Sequence, residues 1–227
     1  MTDHRLDAWR TLADPAAGPL LAAAAEVEAA GVTPSAVTRL RRDHPDGPIP
    51  EALELAGARR RGVAKFEDST RLLLDRGGVE QATSGTVASW KATRFGSEPV
   101  LDLCCGIGGD AMALARRGPC LGVDRDPVRA FMASYNAGIE TAVDDVEAVS
   151  IDRPLVHLDP ARRDESSGRR SWRLEDLVPG IDAIRRIVAE AEGAAIKLGP
   201  GLPMPPPMLH DRQSVSVVAE SGRLVQA

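Results

Sequence analysis

The chain has 227 residues, 43% of them apolar, enough to bury a full core in one large domain or two small ones. A formal charge of −5 argues against a protein that coats nucleic acid by bulk charge, while permitting a local basic face. Three cysteines, Cys104, Cys105 and Cys120, show neither metal-type spacing nor an even count, which argues against a metal site or a disulfide framework and points to buried thiols in a reducing cytosol.

Residues 1–82 are rich in Ala, Leu, Arg and Glu and lack a strand pattern, so they are expected to form a small N-terminal helical domain with its connector. Leu20 to Ala25 is the only run resembling a signal core. It is short and followed by Glu26 and Glu28, so neither a signal peptide nor a membrane span is expected and the location reads as cytoplasmic. Pro19 to Ala30 reads as a helix stopped by Gly31. Thr33-Pro34 caps a second that ends near Asp43, and Pro50 opens a third, with Arg59, Arg60 and Arg61 near its C-terminus. Those arginines could face RNA or simply complement the helix dipole. Residues 64–82 form a connector, after which Thr83 is expected to cap a helix through Phe95. Gln81 and Thr83, just upstream of the next strand, could close over a ligand or serve only as a helix cap.

The segment from Val100 to Asp110, VLDLCCGIGGD, reads as a buried strand, a glycine turn and a helix start, with the helix running to Arg117 and Gly118 behind it. A dinucleotide fold spaces its glycines Gly-x-Gly-x-x-Gly to bring amides onto a pyrophosphate. Here the spacing is Gly106-x-Gly108-Gly109, and Asp102 stands four residues before the first glycine. A carboxylate there repels a pyrophosphate but accepts hydrogen bonds from an ammonium. S-adenosyl-L-methionine (SAM) carries an amino group and a sulfonium and no phosphate, which favours it over NAD.

Cys120 to Asp124 reads as the second strand. Asp126 and Pro127 open a helix that Gly138 ends, and Asp124 at the strand end suits ribose hydroxyls. Glu140 to Val146 reads as a third strand, with Asp145 either accepting from an adenine amino group or making a turn. Pro154 to Leu158 is the fourth strand, ended by Asp159-Pro160. The Arg-rich loop that follows holds Arg162, Arg163 and Trp172, side chains suited to phosphate contact and base stacking, with internal ion pairing as the competing role. His157 within the strand reads as a packed histidine. An amphipathic helix over 179–192, a fifth strand over 194–198 and a hairpin formed by 214–218 and 223–225 complete the pattern.

Three of these segments together resemble successive motifs of the class I SAM-dependent methyltransferases: 100–110, Gly122-Val-Asp-Arg-Asp-Pro127 and Leu158-Asp-Pro-Ala-Arg-Arg163. The likeness is greatest to predicted methyltransferases with a C-terminal THUMP-like domain. It extends to Lys65-Phe66, Glu80-Gln-Ala-Thr83 and Lys197-Leu-Gly-Pro-Gly201, and more distantly to trimethylguanosine synthase. It covers the chain from about residue 60 onward. It implies a Rossmann-like α/β sheet with helices on both faces and a terminal β-hairpin, as a SAM-dependent methyltransferase domain over 83–227 behind the helical domain. Cofactor residues would be Asp102, Cys104, Gly106, Gly108, Asp124, Arg125 and Asp145, with Gln81 and Thr83 from the connector. Asp159 and Pro160 would match the catalytic Asp-Pro of enzymes that methylate exocyclic amines. Those enzymes usually continue with Pro and an aromatic residue, where Ala161 and Arg162 stand here, and this leaves the target atom open. The sequence stops at Ala227 without a THUMP-like domain, which weakens an RNA assignment made by family and leaves open a shortened chain with an incomplete sheet edge.

The leading expectation is therefore methyl transfer to a base amine of RNA, with SAM as cofactor and neither membrane nor metal involved. A methyltransferase for a small molecule or protein, and a non-catalytic scaffold of the same fold, are the alternatives. A NAD enzyme ranks last.

Overall fold

The computed structural model describes residues 4–162, 176–199, 214–220 and 223–226. Helices come first: α1 (His4–Ala13), α2 (Gly18–Ala30), α3 (Pro34–Asp43), α4 (Ile49–Gly62), α5 (Arg76–Gln81) and α6 (Gly85–Ala92). Local chemistry sets most of their boundaries. Thr33 accepts from Ala36 N ahead of Pro34, and Asp75 accepts from Gly78 N to start α5 inside the expected connector. The connector is therefore structured. Thr83 does not cap the next helix as expected. Ser84 does, accepting from Val87 N, which frees the Thr83 side chain for a partner elsewhere. At the end of α4, Arg59 turns inward to donate to Leu72 O, burial lowering its pKa, and Arg60 pairs with Glu28 at 2.9 Å, so neither stands out as a free basic face.

The second half alternates strand and helix: β1 (Val100–Leu103), α7 (Ala111–Ala115), β2 (Cys120–Asp124), α8 (Pro127–Ala137), β3 (Glu140–Val143), β4 (Leu155–Leu158), α9 (after two short strands) and the last sheet strand. The short strands are β5 (Ala161–Arg162) and β6 (Leu177–Val178), which pair antiparallel; α9 is Ile181–Glu190 and β7 is Gly193–Ile196. The sheet order is β3-β2-β1-β4-β7, all parallel, so the order reverses between β1 and β4. In such sheets ligands bind outside the carboxyl ends of the strands, at the reversal.

Several expected boundaries shift. Helix α7 ends at Ala115 rather than at Arg117, and Gly118 does not take a left-handed turn. A Cβ at Gly118 would collide with the Ser97 carbonyl, and Arg117 turns back to donate to the carbonyls of Ala92 and Gly96. Strand β3 stops at Val143, short of the expected Val146, because the chain enters a turn over 146–148 in which Ala148 N donates to Asp145 O. The hairpin forms from β8 (Val218–Glu220), later than the expected 214–218, and β9 (Arg223–Gln226), where expected, and makes a two-stranded sheet of its own among the described residues.

Alternation along β1 and β4 builds two faces. Leu101, Leu103, Val156 and Leu158 pack with Ile184 and Ile187 of α9. On the opposite face Val100 packs with Ala88 and Ala92 of α6 and Leu114 of α7. Asp102 and His157, in register on neighbouring strands, share that second face. The helical core of α1, α2 and α4 (Trp9, Leu20, Leu55) continues without a break into Ile107, Val128 and Met132, so the N-terminal helices pack directly on the glycine loop and α8. No helix among the described residues is long and apolar enough to cross a membrane.

Candidate functional site

The loop after β1 is shaped by residues with left-handed backbone: Cys104 (φ 58°), Gly106 (φ 56°) and Gly108 (φ 85°). Such angles are strained for a side chain and natural for glycine. The two glycines differ in purpose. At Gly106 a Cβ would meet open space, so its backbone is accessible. At Gly108 a Cβ would lie 3.0 Å from Ala133 Cα, so this glycine lets the loop press onto α8. Asp124, at the end of β2, organises the loop. Its Oδ2 accepts from Gly106 N and its Oδ1 from Asp126 N, both at 2.9 Å. Burial pushes its carboxyl pKa upward, against those two amide bonds.

Beside this loop lies a cavity of about 340 Å³, within the ordinary range for small-molecule sites. It is lined by Cys104, Asp124, Arg125, Asp145, Ala161 and Val178, among others. Four of the nine expected cofactor residues thus meet at the carboxyl ends of β1, β2 and β3. Asp145 is exposed, and its carboxylate accepts from Glu147 N at 2.9 Å, so it makes the turn that competed with a ligand role while also lining the cavity. Burial raises the Cys104 thiol pKa far above its usual value, and the carboxylates of Asp124, Asp159 and Asp102 add to the effect, so this thiol is no nucleophile.

Asp102 and Thr83 instead belong to a second polar centre. Asp102 and His157 are each only 1% exposed, and His157 Nδ1 lies 2.7 Å from Asp102 Oδ1. Lys91 of α6 pairs with Asp110 Oδ1 at 2.7 Å and reaches Thr83 Oγ1 and His157 Nε2 at 3.3 Å each. His157 thus faces Asp102 with Nδ1 and Lys91 with Nε2, bridging β4 to α6. Thr83 in turn donates to Asp110 Oδ2 at 2.7 Å. Burial opposes ionisation of Asp110, but His157 and the Lys91 and Lys197 ammoniums outweigh it and bring its pKa down to about 2. Burial raises the pKa of Asp102, whose Oδ2 has no partner among the described residues. His157 is thus not simply packed: it holds the strand pair to α6.

Asp159 continues β4, its N–H donating to Leu103 O, and its Oδ2 lies 2.6 Å from Lys197 Nζ. Pro160 behind it is buried. Lys197 also donates to Gln81 O at 3.3 Å, and Lys65 donates to Glu80 O and Ala82 O at 2.9 and 2.7 Å. Lys65 thus ties the connector to itself, and Lys197 ties it to the strand ends. Arg162 closes strand β5, and Arg163 and Trp172 lie outside the described residues. No group of three or more His, Cys, Asp or Glu among the described residues could hold a metal. A larger groove of about 1200 Å³ runs elsewhere, between residues 63–72 and helices α7 and α8, and it carries none of the expected site residues.

Sequence reasoning missed Lys91, Asp110 and Lys197 as functional candidates. Lys197 sat in a quoted motif without a role, and nothing around Lys91 marks it locally.

No family profile matches the chain. Two curated proteins of Mycobacterium tuberculosis, from strains CDC 1551 and H37Rv, are described as uncharacterized S-adenosylmethionine-dependent methyltransferases. Each is 38% identical over 110 residues, which cover 45% of this chain and 30% of theirs. The chain thus matches under a third of these relatives' length. Among solved structures, a candidate methyltransferase from Porphyromonas gingivalis W83 covers 74% of this chain and 49% of its own, with TM-score 0.50 and 19% identity. That likeness shows a shared Rossmann-like fold. A magnesium protoporphyrin IX methyltransferase from Synechocystis PCC 6803, solved with bound SAM, aligns at TM-score 0.38 and 14% identity over 72% of this chain and 70% of its own, too loosely to carry an argument.

Proposed function

We propose that the chain is a SAM-dependent methyltransferase acting on an exocyclic amine of an RNA base, with residues 83–227 forming the methyltransferase domain and residues 1–82 a helical unit packed on it. The observation that carries the cofactor reading is the cavity where Asp124 and Asp145 meet beside the open side of Gly106, at the carboxyl ends of three parallel strands. The two mycobacterial relatives, which carry that description, support it. The donor set fits the cofactor. Asp124 would take the ribose hydroxyls, Asp145 and Arg125 would flank the adenine, and the unpartnered Asp102 Oδ2 matches an ammonium. Thr83, committed to Asp110, would act by holding the connector rather than by touching the ligand.

The cofactor supplies an electrophilic methyl group on a sulfonium. The chain's own work is positioning. Asp159 accepts the N–H of the target amine, and the Pro160 carbonyl offers a second acceptor, so the nitrogen lone pair is held in line with the methyl carbon. Arg162, Arg163 and Trp172 would serve substrate phosphates and a stacked base.

Calorimetric titration with SAM and S-adenosylhomocysteine tests the cofactor. Wild type is expected to bind, and Asp124→Ala is expected to weaken binding at least tenfold. Wild-type protein that binds neither compound overturns the reading. Transfer of labelled methyl from SAM to unmodified RNA, with the product resolved by base, tests the substrate.

A further inference from the structure

We infer that Lys197 is a positioning residue for methyl transfer. It pins one oxygen of the Asp159 carboxylate, leaves the other for the target N–H, and ties both to the connector at residues 80–84. This rests on the assignment of Asp159 above.

The geometry is specific. Lys197 extends the β7 ladder, its backbone N–H donating to Leu158 O at 2.8 Å, so its Cα is fixed beside Asp159. Its side chain, 15% exposed, puts Nζ at 2.6 Å from Asp159 Oδ2 and 3.3 Å from Gln81 O. No bond is made to Asp159 Oδ1 among the described residues, so that oxygen remains an acceptor. Burial alone would lower the Lys197 pKa, yet the carboxylates of Asp159, Asp110 and Asp102 hold it raised, so the side chain is an ammonium.

The partner side is equally ordered. Three successive carbonyls, Glu80 O, Gln81 O and Ala82 O, accept from the Lys65 and Lys197 ammoniums. The next two residues are anchored by side chains, Thr83 to Asp110 and Ser84 to Glu220 of the terminal hairpin, both at 2.7 Å. Of the two lysines, Lys197 alone pairs with Asp159. A buried ion pair contributes little net stability once desolvation is counted. What the pair does supply is a fixed orientation of the acceptor, and misplacement of a reacting group by ~1 Å costs about 10²-fold in rate.

The test compares Lys197→Met, Lys197→Arg, Asp159→Asn and the Met/Asn double variant. The probe is in vitro transcribed, unmodified RNA with labelled SAM. Melting and S-adenosylhomocysteine affinity are measured in parallel to exclude misfolding. Lys197→Met is expected to lower kcat by about 10²-fold while leaving the KM for SAM and the S-adenosylhomocysteine affinity near wild type. Lys197→Arg, which keeps the charge, should recover a substantial part of the loss. The double variant should be no worse than Asp159→Asn alone. Wild-type turnover in Lys197→Met, no recovery by Arg, or additive losses overturn the inference. If wild-type protein binds SAM but methylates no RNA, the substrate assignment fails instead. The Lys197 ammonium then decides by NMR: a slowly exchanging signal lost in Asp159→Asn upholds the pairing, and its absence from wild type overturns it.

Discussion

The cavity at the ends of β1, β2 and β3 and the polar ground beneath residues 80–84 are neighbours built in different ways. The cavity's shape depends on contacts short in sequence: Asp124 to Asp126 across two residues, Asp124 to Gly106 across 18, and the Asp145 turn to Glu147. Its acceptors are bonded to backbone amides, and it opens to solvent. The second region is assembled from afar. Lys91 meets His157 across 66 residues, Lys197 meets Asp159 across 38, and Ser84 meets Glu220 across 136. Its groups are side chains bonded to side chains, and most are buried. The first region is a container that a local motif can specify. The second is a brace that exists only once the helices and sheet have come together, and it sets where the container's edge and Asp159 stand.

The sharpest way to break this comparison is to remove one cation from the brace. Lys91→Met leaves Asp110 buried without its paired ammonium, and urea unfolding should show a loss of about 3–5 kcal/mol. A loss below about 1 kcal/mol would mean that the network is not a structural unit, since even one ordinary hydrogen bond is worth that much.

The two glycines of the loop give the next test. Gly108→Ala forces a left-handed backbone and pushes Cβ against Ala133, so it should cost about 2–4 kcal/mol. Gly106→Ala meets open space and should cost only about 1–2 kcal/mol of backbone strain, while weakening SAM binding more than Gly108→Ala does relative to its stability loss. Equal stability losses would erase the distinction between a packing glycine and an exposed one.

A smaller effect concerns acid. Asp110 has a pKa near 2 when folded against an ordinary 3.8, so folding favours its ionised form. Its contribution is present above about pH 4 and is lost as pH falls toward about pH 2, about 2 kcal/mol in all. Stability measured across that window should fall more steeply in wild type than in Asp110→Asn. Parallel curves would remove Asp110 from the account.

The smallest expected effect lies in the cavity. Burial and three carboxylates keep Cys104 protonated, so iodoacetamide should modify it at pH 8 at least about tenfold more slowly than a peptide thiol. Fast modification would show a more open, less acidic cavity than the contacts imply.

Much of the container was legible. Val100 to Leu103, the Asp126-Pro127 helix start and the left-handed Gly138 stop all follow from residues within a few positions of one another. Where the reading failed, a distant group had won. Thr83 was expected to cap a helix, but Asp110, 27 residues on, took its hydroxyl and Ser84 capped instead. Arg117 and Gly118 were expected to end α7, but packing against Ser97 and the carbonyls of Ala92 and Gly96 decided their conformation. The β5–β6 ladder pairs residues on either side of the Arg-rich loop and had no periodic signal at two residues per strand.

The sequence by itself determined the order of the main strands and helices, the glycine turn, the acids at strand ends and the alternation that turns Asp102 away from Leu101 and Leu103 within its strand. These depend on backbone conformation and on a period of two, both local properties. Only the tertiary structure decided which ammonium faces which carboxylate. That choice requires burial, because in water the same lysines and acids would remain solvated and unpaired, whereas inside the fold each charge must find the one partner that packing brings within reach.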